Sequence, residues 1–166
     1  LPLIRSADIS FANLESVFAL DGFPIQKNKE AMPYSFRGRP ELVGILSNAG
    51  FKVVSQANNH AGDFGPDALL ESLGILRNAG IRVVGAGKNS SEASKVLYLE
   101  HKGIRFAFIA CSMEIPEYAA GPEKPGVFYV RKEAALDVLT PLVRAAKLES
   151  DIVLLSVHWG GNWSET

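Results

Sequence analysis

Apolar runs of strand length alternate with helical patterns of apolar residues along most of the chain. Six such runs predict strands, at 8–14, 51–56, 81–84, 96–100, 105–110 and 152–156. The turn residues Lys102-Gly103 lie between the fourth and fifth runs and predict a hairpin. The uninterrupted apolar character of 152–156 predicts a buried strand. Strands that alternate with helices are typical of α/β domains with parallel pairing, so we expect a single α/β domain over residues 1–166.

Three segments have the apolar spacing of amphipathic helices, at 40–49, 65–79 and 132–148. In the second of these, Leu69, Leu73 and Leu76 recur on one face of the helix. Pro141 lies inside the third segment and predicts a kink or a restart of that helix. Two segments rich in proline and glycine, 15–40 and 114–126, predict long irregular connections. Loops of this length in a compact domain are often functional.

The charge balance excludes one class of partner. The chain has 17 lysines and arginines against 18 aspartates and glutamates, a formal net charge of -1. A near-neutral chain without a basic run has no electrostatic basis for binding nucleic acid. The single cysteine, Cys111, lies in an apolar run and is expected to be a buried thiol.

Polar residues with metal-binding or proton-transfer chemistry follow three of the predicted strands. In α/β sheets, ligands bind beyond the carboxyl ends of the strands. At the first exit, Asn13 and Glu15 are two residues apart, so in extended backbone their side chains point the same way. Amide and carboxylate oxygens suit Mg²⁺ or Mn²⁺. The alternative is a turn residue followed by a solvated carboxylate at a helix start.

The second exit is the loop that contains Asn58, Asn59, His60 and Asp63. An asparagine carbonyl or a neutral histidine can bind a metal ion, and a histidine can donate a proton to a leaving group. The alternative is an ordinary polar loop that caps the following helix.

The third exit places His158 and Trp159 directly after an apolar strand. The histidine can bind a metal ion, and the indole can form the wall of a pocket. The alternative is a structural histidine that is satisfied by hydrogen bonds.

Taken together, these segments resemble the bacterial capsule synthesis (CapA) family. The resemblance is carried in consistent order by Ala7-Asp8, Asn13-Leu14-Glu15, the stretch 57–65, Gly85-Ala86-Gly87, Glu92-Ala93, Asp151 and His158-Trp159-Gly160. The family is linked to poly-γ-glutamate capsule synthesis and resembles a branch of the calcineurin-like metallophosphatases. The resemblance implies a fold in which two sheets stack between helices, with metal ligands on the loops after the strands.

The resemblance also implies roles for individual residues. His60 would contact a phosphoryl group or protonate the leaving oxygen. The metal ligands would be Asn59 and His158, with Asn13 and Glu15 at the exit that holds a bridging carboxylate in the phosphatases. The residues that would bind substrate are Asn58, Asp63 and Trp159. The implied cofactor is a divalent metal, Mn, Mg, Fe or Zn, with two ions in the intact protein.

Two elements of the metallophosphatase pattern lie outside this chain. These are a first strand with a Gly-Asp motif and a final His-x-His loop. We therefore expect a fragment of a larger domain that binds metal weakly and has little or no phosphatase activity alone. A sheet edge left open in this way predicts pairing with another copy as a homodimer.

Two functions follow as hypotheses. The first is a metal-dependent hydrolase acting on a phosphorylated substrate within the capsule synthesis machinery. The alternative is a non-catalytic component that binds the anionic polymer during assembly or export. Four cations in the first long loop favour the alternative, unless that loop is simply solvated: Lys27, Lys29, Arg37 and Arg39. By resemblance the parent protein is bacterial, and membrane-associated or extracytoplasmic.

Overall fold

A computed structural model describes residues 2–25 and 34–160 of the chain. Within these ranges the strands are β1 (Phe11–Asn13), β2 (Val17–Phe18), β3 (Arg37–Gly38), β4 (Val53–Ser55), β5 (Arg82–Val84), β6 (Ala86–Gly87), β7 (Leu97–His101), β8 (Ile104–Ser112), β9 (Gly126–Val127) and β10 (Ile152–His158). The helices are α1 (Pro2–Ser6), α2 (Val43–Ala49), α3 (Gly65–Asn78), α4 (Ser90–Ala93) and α5 (Ala135–Leu148). Short 3-10 turns occur at Pro40–Leu42, Pro116–Tyr118 and Lys132–Ala134.

Two three-stranded sheets organise the domain. The first has the order β1-β4-β5 and is entirely parallel, whereas the second has the order β10-β8-β7, with only β7 antiparallel. Asn13 is the register partner of Ser55 in the first sheet, and His158 is the partner of Ser112 in the second. The ends of β1 and β4 therefore lie side by side, as do the ends of β8 and β10.

The core has two kinds of apolar layer. Between the sheets, Val53 of β4 and Phe108 of β8 belong to one buried cluster. On the outer faces, Val54 packs with Leu76 of α3, and Ile109 packs against α5. Neighbouring residues of one strand thus face opposite layers, as the alternation of a pleated strand requires. The predicted α/β class and the stacking of two sheets between helices are confirmed.

The helices follow the apolar spacing of the sequence. The three leucines of α3 are buried, and Gly80 adopts a left-handed φ of 77° two residues after the helix ends. The helix α5 runs unbroken through Pro141, preceded by its 3-10 turn, so the predicted restart does not occur. Pro141 costs the helix one backbone hydrogen bond, and packing of the apolar face of α5 on β8 and β10 offsets that loss.

The hairpin and the cysteine agree with the sequence pattern. The strands β7 and β8 pair across a two-residue turn in which Lys102 and Gly103 both have positive φ angles, 51° and 76°. Cys111 is fully buried, and burial raises the pKa of its thiol to about 11. None of the helices in the described ranges is long and apolar enough to span a bilayer.

The expectation of a buried strand at 152–156 was wrong. In β10, Ile152, Leu154 and Leu155 each expose about 40% of their surface (43%, 38% and 40%). The strand forms the edge of its sheet, and within residues 2–25 and 34–160 it pairs only with β8. An apolar run shows that a segment is hydrophobic, but it does not predict which neighbouring elements will cover the strand. The predicted homodimer through an open edge stays a prediction.

Candidate active site

Three strand ends meet at one corner of the sandwich. Asn13 ends β1, Asn59 lies in the loop after β4, and His158 ends β10. The Nε2 atom of His158 lies 3.0 Å from Asn59 Oδ1, and its Nδ1 atom lies 3.4 Å from Asn13 Nδ2. The two sheets therefore bring together residues that are up to 145 positions apart in the chain.

A fully buried glutamine, Gln56, holds the backbone segments of this corner together through hydrogen bonds. Its Nε2 atom donates to the carbonyl oxygens of Leu14 and Ser16, each at 2.9 Å, and its Oε1 atom accepts from Ser72 Oγ of α3 at 3.2 Å. One side chain thus ties the exit of β1 to the loop after β4 and to a helix. The sequence analysis missed this residue, although an amide at the end of an apolar strand was an available signal.

Asn58 orients its neighbours. The side chain is fully buried, and its Nδ2 atom donates to Asn13 Oδ1 at 3.0 Å and to the carbonyl of Leu14 at 2.9 Å. Its Oδ1 atom accepts from the backbone amide of His60 at 3.0 Å. These bonds use both functional atoms of the amide, so Asn58 positions Asn13 and His60. Its predicted contact with substrate stays a prediction.

The side chain of His60 is held by a buried carboxylate. Its Nδ1 atom lies 2.8 Å from Asp63 Oδ2, and the same oxygen accepts from the backbone amide of Phe36 at 2.8 Å. The Phe36 ring packs against the imidazole with 4.4 Å between centroids. An ionised carboxylate only accepts hydrogen bonds, so this contact places a proton on Nδ1 and the lone pair of the neutral ring on Nε2. Phe36 is a second residue that the sequence analysis missed.

Glu15 lies between the two histidines. Its Oε2 atom is 4.0 Å from His60 Nε2, and its Oε1 atom is 3.8 Å from His158 Nδ1. Its Oε1 atom also accepts from Asn13 Nδ2 at 2.8 Å, as the two-residue spacing predicted for side chains that point the same way. The corner therefore combines one exposed carboxylate, two imidazoles and two amide oxygens.

The donor atoms fit part of a metal coordination shell. The separation of 3.0 Å between Asn59 Oδ1 and His158 Nε2 is that of a hydrogen bond. Two neighbouring ligands of one octahedral ion, each about 2.1 Å from it, lie at roughly the same separation of 3 Å. Among the described residues, however, no group of three or more histidines, cysteines, aspartates or glutamates forms a metal-binding cluster. The residues present thus fit a pair of neighbouring ligands, and Glu15 is the nearest carboxylate to that pair.

The end of β10 is fixed by the segment after β8. The backbone amide of Met113 donates to the carbonyl of His158 at 2.9 Å, and Glu114 Oε1 accepts from the amide of Gly160 at 3.1 Å. Glu114 was not among the predicted site residues. Trp159 exposes 68% of its surface and forms no hydrogen bond or ring contact within the described ranges, so the structure does not join it to the site.

The cations of the first long loop divide into two pairs. Lys27 and Lys29 lie outside the described residues. Arg37 donates to the carbonyl of Gly22 at 2.9 Å and stacks over a phenylalanine ring, whereas Arg39 pairs with Glu41 at 3.5 Å. Both described arginines are thus engaged in local contacts.

Comparison with known proteins identifies the family. The model of the bacterial capsule synthesis protein family PGA_cap matches residues 1–166. This chain belongs to that family. The predicted membership is therefore confirmed.

Two curated relatives are similar to this chain over nearly its whole length. A Mycobacterium tuberculosis protein, assigned as a polyglutamine synthesis accessory protein, is 33% identical over 95% of this chain and 43% of its own length. The PGA biosynthesis protein CapA of Bacillus subtilis is 29% identical over 96% of this chain and 40% of its own length. The chain thus spans less than half the length of these relatives.

A solved structure supports the fold. A Staphylococcus aureus protein assigned as a 5'-nucleotidase, in complex with alpha-ketoglutarate, superposes with a TM-score of 0.51 at 19% identity. The match covers 73% of this chain and 23% of the nucleotidase chain. The likeness shows the architecture, in which this chain corresponds to part of a larger α/β protein.

Proposed function

We propose that the whole protein acts in capsule (poly-γ-glutamate) biosynthesis through a divalent-metal-dependent hydrolase site of the metallophosphatase type. Family membership and the names of the relatives support the capsule role. The observation that carries the hydrolase role is the pairing of His60 with buried Asp63 at 2.8 Å, beside Glu15 and His158. This arrangement has the parts of a proton-transfer site next to a pair of metal-ligand atoms.

In this proposal His60 is the general acid. Asp63 accepts a hydrogen bond from Nδ1 and fixes the orientation of the ring. It also stabilises the imidazolium form, in which Nε2 carries the proton that passes to the leaving oxygen and leaves His60 neutral. The Phe36 ring covers one side of the imidazole and excludes water from it. A positioned general acid of this kind contributes typically about 10²–10⁴-fold to a rate.

Asn59 and His158 would hold the metal ion. A divalent cation supplies charge neutralisation and Lewis-acid activation of the phosphoryl group when it is bound. The mixed oxygen and nitrogen donors are compatible with Mn, Mg, Fe or Zn. Asn58 keeps Asn13 in place, and Asn13 in turn orients the carboxylate of Glu15 toward the two histidines. Preorganised donors of this kind lower the cost of binding charge in the transition state.

The test is hydrolysis of a dialkyl phosphodiester, glycerophosphocholine, by the full-length protein with Mn²⁺, because an alkoxide leaving group needs the proton that His60 donates in this proposal. We expect His60→Ala to lower kcat by roughly 10²–10⁴-fold and His158→Ala to lower the affinity for Mn²⁺. The matched control is His101→Ala, because His101 lies on the hairpin and pairs only with exposed Asp8 in the described ranges. The control should retain full activity.

One result would exclude the hydrolase site. If the full-length protein hydrolyses the diester and both His60→Ala and His158→Ala retain wild-type kcat and Mn²⁺ dependence, the corner described here is not the catalytic centre.

A further inference from the structure

A second concave surface lies on the opposite side of the sandwich from the candidate site. The site joins the edge strands β1 and β10, whereas this surface is bounded by the other two edge strands, β5 and β7, together with α4 and the end of α3. Its volume is about 1090 Å³. We call this surface the edge groove, and its polar lining includes Arg77, Arg82, Lys88, Glu92, Lys95 and Tyr98.

The edge groove concentrates positive charge. Four of its lining side chains are cationic and one is a carboxylate, in a chain whose formal net charge is -1. A concave surface lined mainly by one sign of charge attracts ligands of the opposite sign. The two carboxylates of the candidate site lie at the other edge, so the two sides of the domain differ in electrostatic character.

The carboxylate of the groove is already neutralised. Glu92 pairs with the guanidinium of Arg77, and its second oxygen accepts from the backbone amide of Lys88 at 3.2 Å. Partial burial acts to raise the pKa of Glu92, but the hydrogen bonds from Lys88 and Arg77 outweigh it and lower the pKa. Glu92 therefore stays ionised at neutral pH, and its single negative charge acts on both Arg77 and Lys88, so the lining keeps an excess of positive charge.

Three cations remain available to a ligand. The side chains of Arg82, Lys88 and Lys95 are exposed and form no ion pair within the described ranges. They come from three successive segments: β5, the turn before α4, and the residue pair after α4. Because they line one groove, a single extended anionic chain can contact all three.

The size and the walls of the groove indicate a polymer segment. Pockets for small molecules measure about 300–1,000 Å³, and the edge groove, at about 1090 Å³, lies just above that range. Among the described strands, β5 and β7 each pair on one side only, so backbone donors and acceptors border the groove. Unpaired strand edges of this kind offer hydrogen-bonding groups to an extended chain.

We propose that the edge groove binds an extended polycarboxylate chain through Arg82, Lys88 and Lys95. The choice of poly-γ-glutamate as that chain rests on the proposed function, because capsule synthesis supplies the polymer. Its repeating carboxylates supply the charge opposite to that of the three cations. The groove is separate from His60, so a polymer can be held at one edge while chemistry proceeds at the other.

The test is fluorescence anisotropy with labelled poly-γ-glutamate oligomers and the full-length protein. The test variant combines Arg82→Glu, Lys88→Glu and Lys95→Glu, and the matched control combines Arg131→Glu, Lys132→Glu and Arg144→Glu on the far side of the second sheet. We expect the test variant to bind roughly 10- to 100-fold more weakly, and the control within about twofold of wild type, because exposed ion pairs each contribute modestly. Binding should also weaken as salt rises.

Folding and ligand identity are controlled separately. Replacement of the same three groove residues by glutamine removes charge without repulsion and should give a smaller loss of affinity, with an unchanged thermal unfolding midpoint. Equal affinity of the charge-reversal variant and wild type would overturn the proposal. So would competition by inorganic phosphate at the same concentration of charge, because it would define a small-anion site.

The two proposals can fail independently. The His60→Ala variant should bind the polymer like wild type, because His60 lies outside the groove. If the full-length protein does not hydrolyse the diester but its affinity for the polymer depends on the three cations, the groove proposal is supported and the hydrolase proposal is rejected. That outcome would favour the non-catalytic role in polymer assembly or export.

Discussion

The candidate site has two halves that are built differently. The half in the loop after β4 contains Gln56, Asn58 and Asp63, each of which is fully buried. The half at the edge of the sandwich contains His158 and Glu15, whose side chains are 23% and 44% exposed. Both halves hold polar groups, but only the loop half is enclosed by the core.

The difference shows where preorganisation comes from. A buried polar group is costly unless its hydrogen bonds are made, so Gln56 and Asn58 are bound through both of their functional atoms. His158 depends on an edge strand and on contacts from Met113 and Glu114. We therefore expect substitutions in the loop half to reduce stability, and substitutions in the edge half to leave stability nearly unchanged.

The largest effect is expected for Gln56→Leu. The substitution keeps the volume but removes the donors to Leu14 and Ser16 and the acceptor for Ser72. Unsatisfied buried groups cost about 1–3 kcal/mol each, so the free energy of unfolding should fall by about 2–4 kcal/mol. Urea unfolding followed by circular dichroism measures this value. The edge-half control, His158→Ala, should lose less than about 1 kcal/mol, and equal losses would contradict the division into two halves.

A smaller loss is expected for Gly62→Ala, two residues after His60. An added Cβ would lie 2.5 Å from the Tyr118 ring, so the ring or the loop has to shift. Overpacking of this kind costs typically about 1–3 kcal/mol. The matched control is Gly74→Ala in α3, where a Cβ meets nothing within 4 Å. The control should gain up to about 1 kcal/mol from helix propensity. A neutral Gly62→Ala variant would show that the loop half is not tightly packed.

The smallest structural change is expected for Asp63→Asn, which should alter the tautomer of His60. In the wild-type protein the contact with Asp63 places the proton on Nδ1 of His60, whereas His158 contacts polar atoms through both ring nitrogens. Nitrogen-15 NMR of the histidine side chains measures the ring-nitrogen chemical shifts of His60 and His158 separately. The His60 signal should lose its Nδ1–H pattern in the variant while the His158 signal keeps its own. An unchanged His60 pattern would remove Asp63 as the residue that positions it.

Local pattern was sufficient for much of the fold. The spacing of Leu69, Leu73 and Leu76 predicted the buried face of α3, and Lys102-Gly103 predicted the hairpin. These features depend on the 3.6-residue and two-residue repeats and on turn residues, all of which act over a few positions. The polar residues that follow strands were also visible as candidates, because a strand followed by ligand-type side chains is a local signal.

The assembly of the site was decided by tertiary structure. Asn13 and His158 approach each other only because β1 and β10 end at the same corner of two different sheets. The exposure of β10 likewise depends on its place at an edge, which its apolar composition does not encode. The loop that contains His60 was recognisable from the sequence, and Gln56 left a local signal at the end of its strand. The contact of Phe36 with His60 left no such signal, because the two residues are distant in the chain.

The charged residues of the edge groove are likewise brought together only by the tertiary structure. Arg82, Lys88 and Lys95 are ordinary surface residues in a near-neutral sequence, and no run or spacing groups them. They line one groove because the edges of β5 and β7 lie on the same side of the sandwich. The sequence by itself determined the six strands of the two three-stranded sheets, the three longest helices and the chemistry available at the strand ends. Only the stacking of two sheets decided which of those groups meet, because contacts between distant segments depend on topology and not on local periodicity.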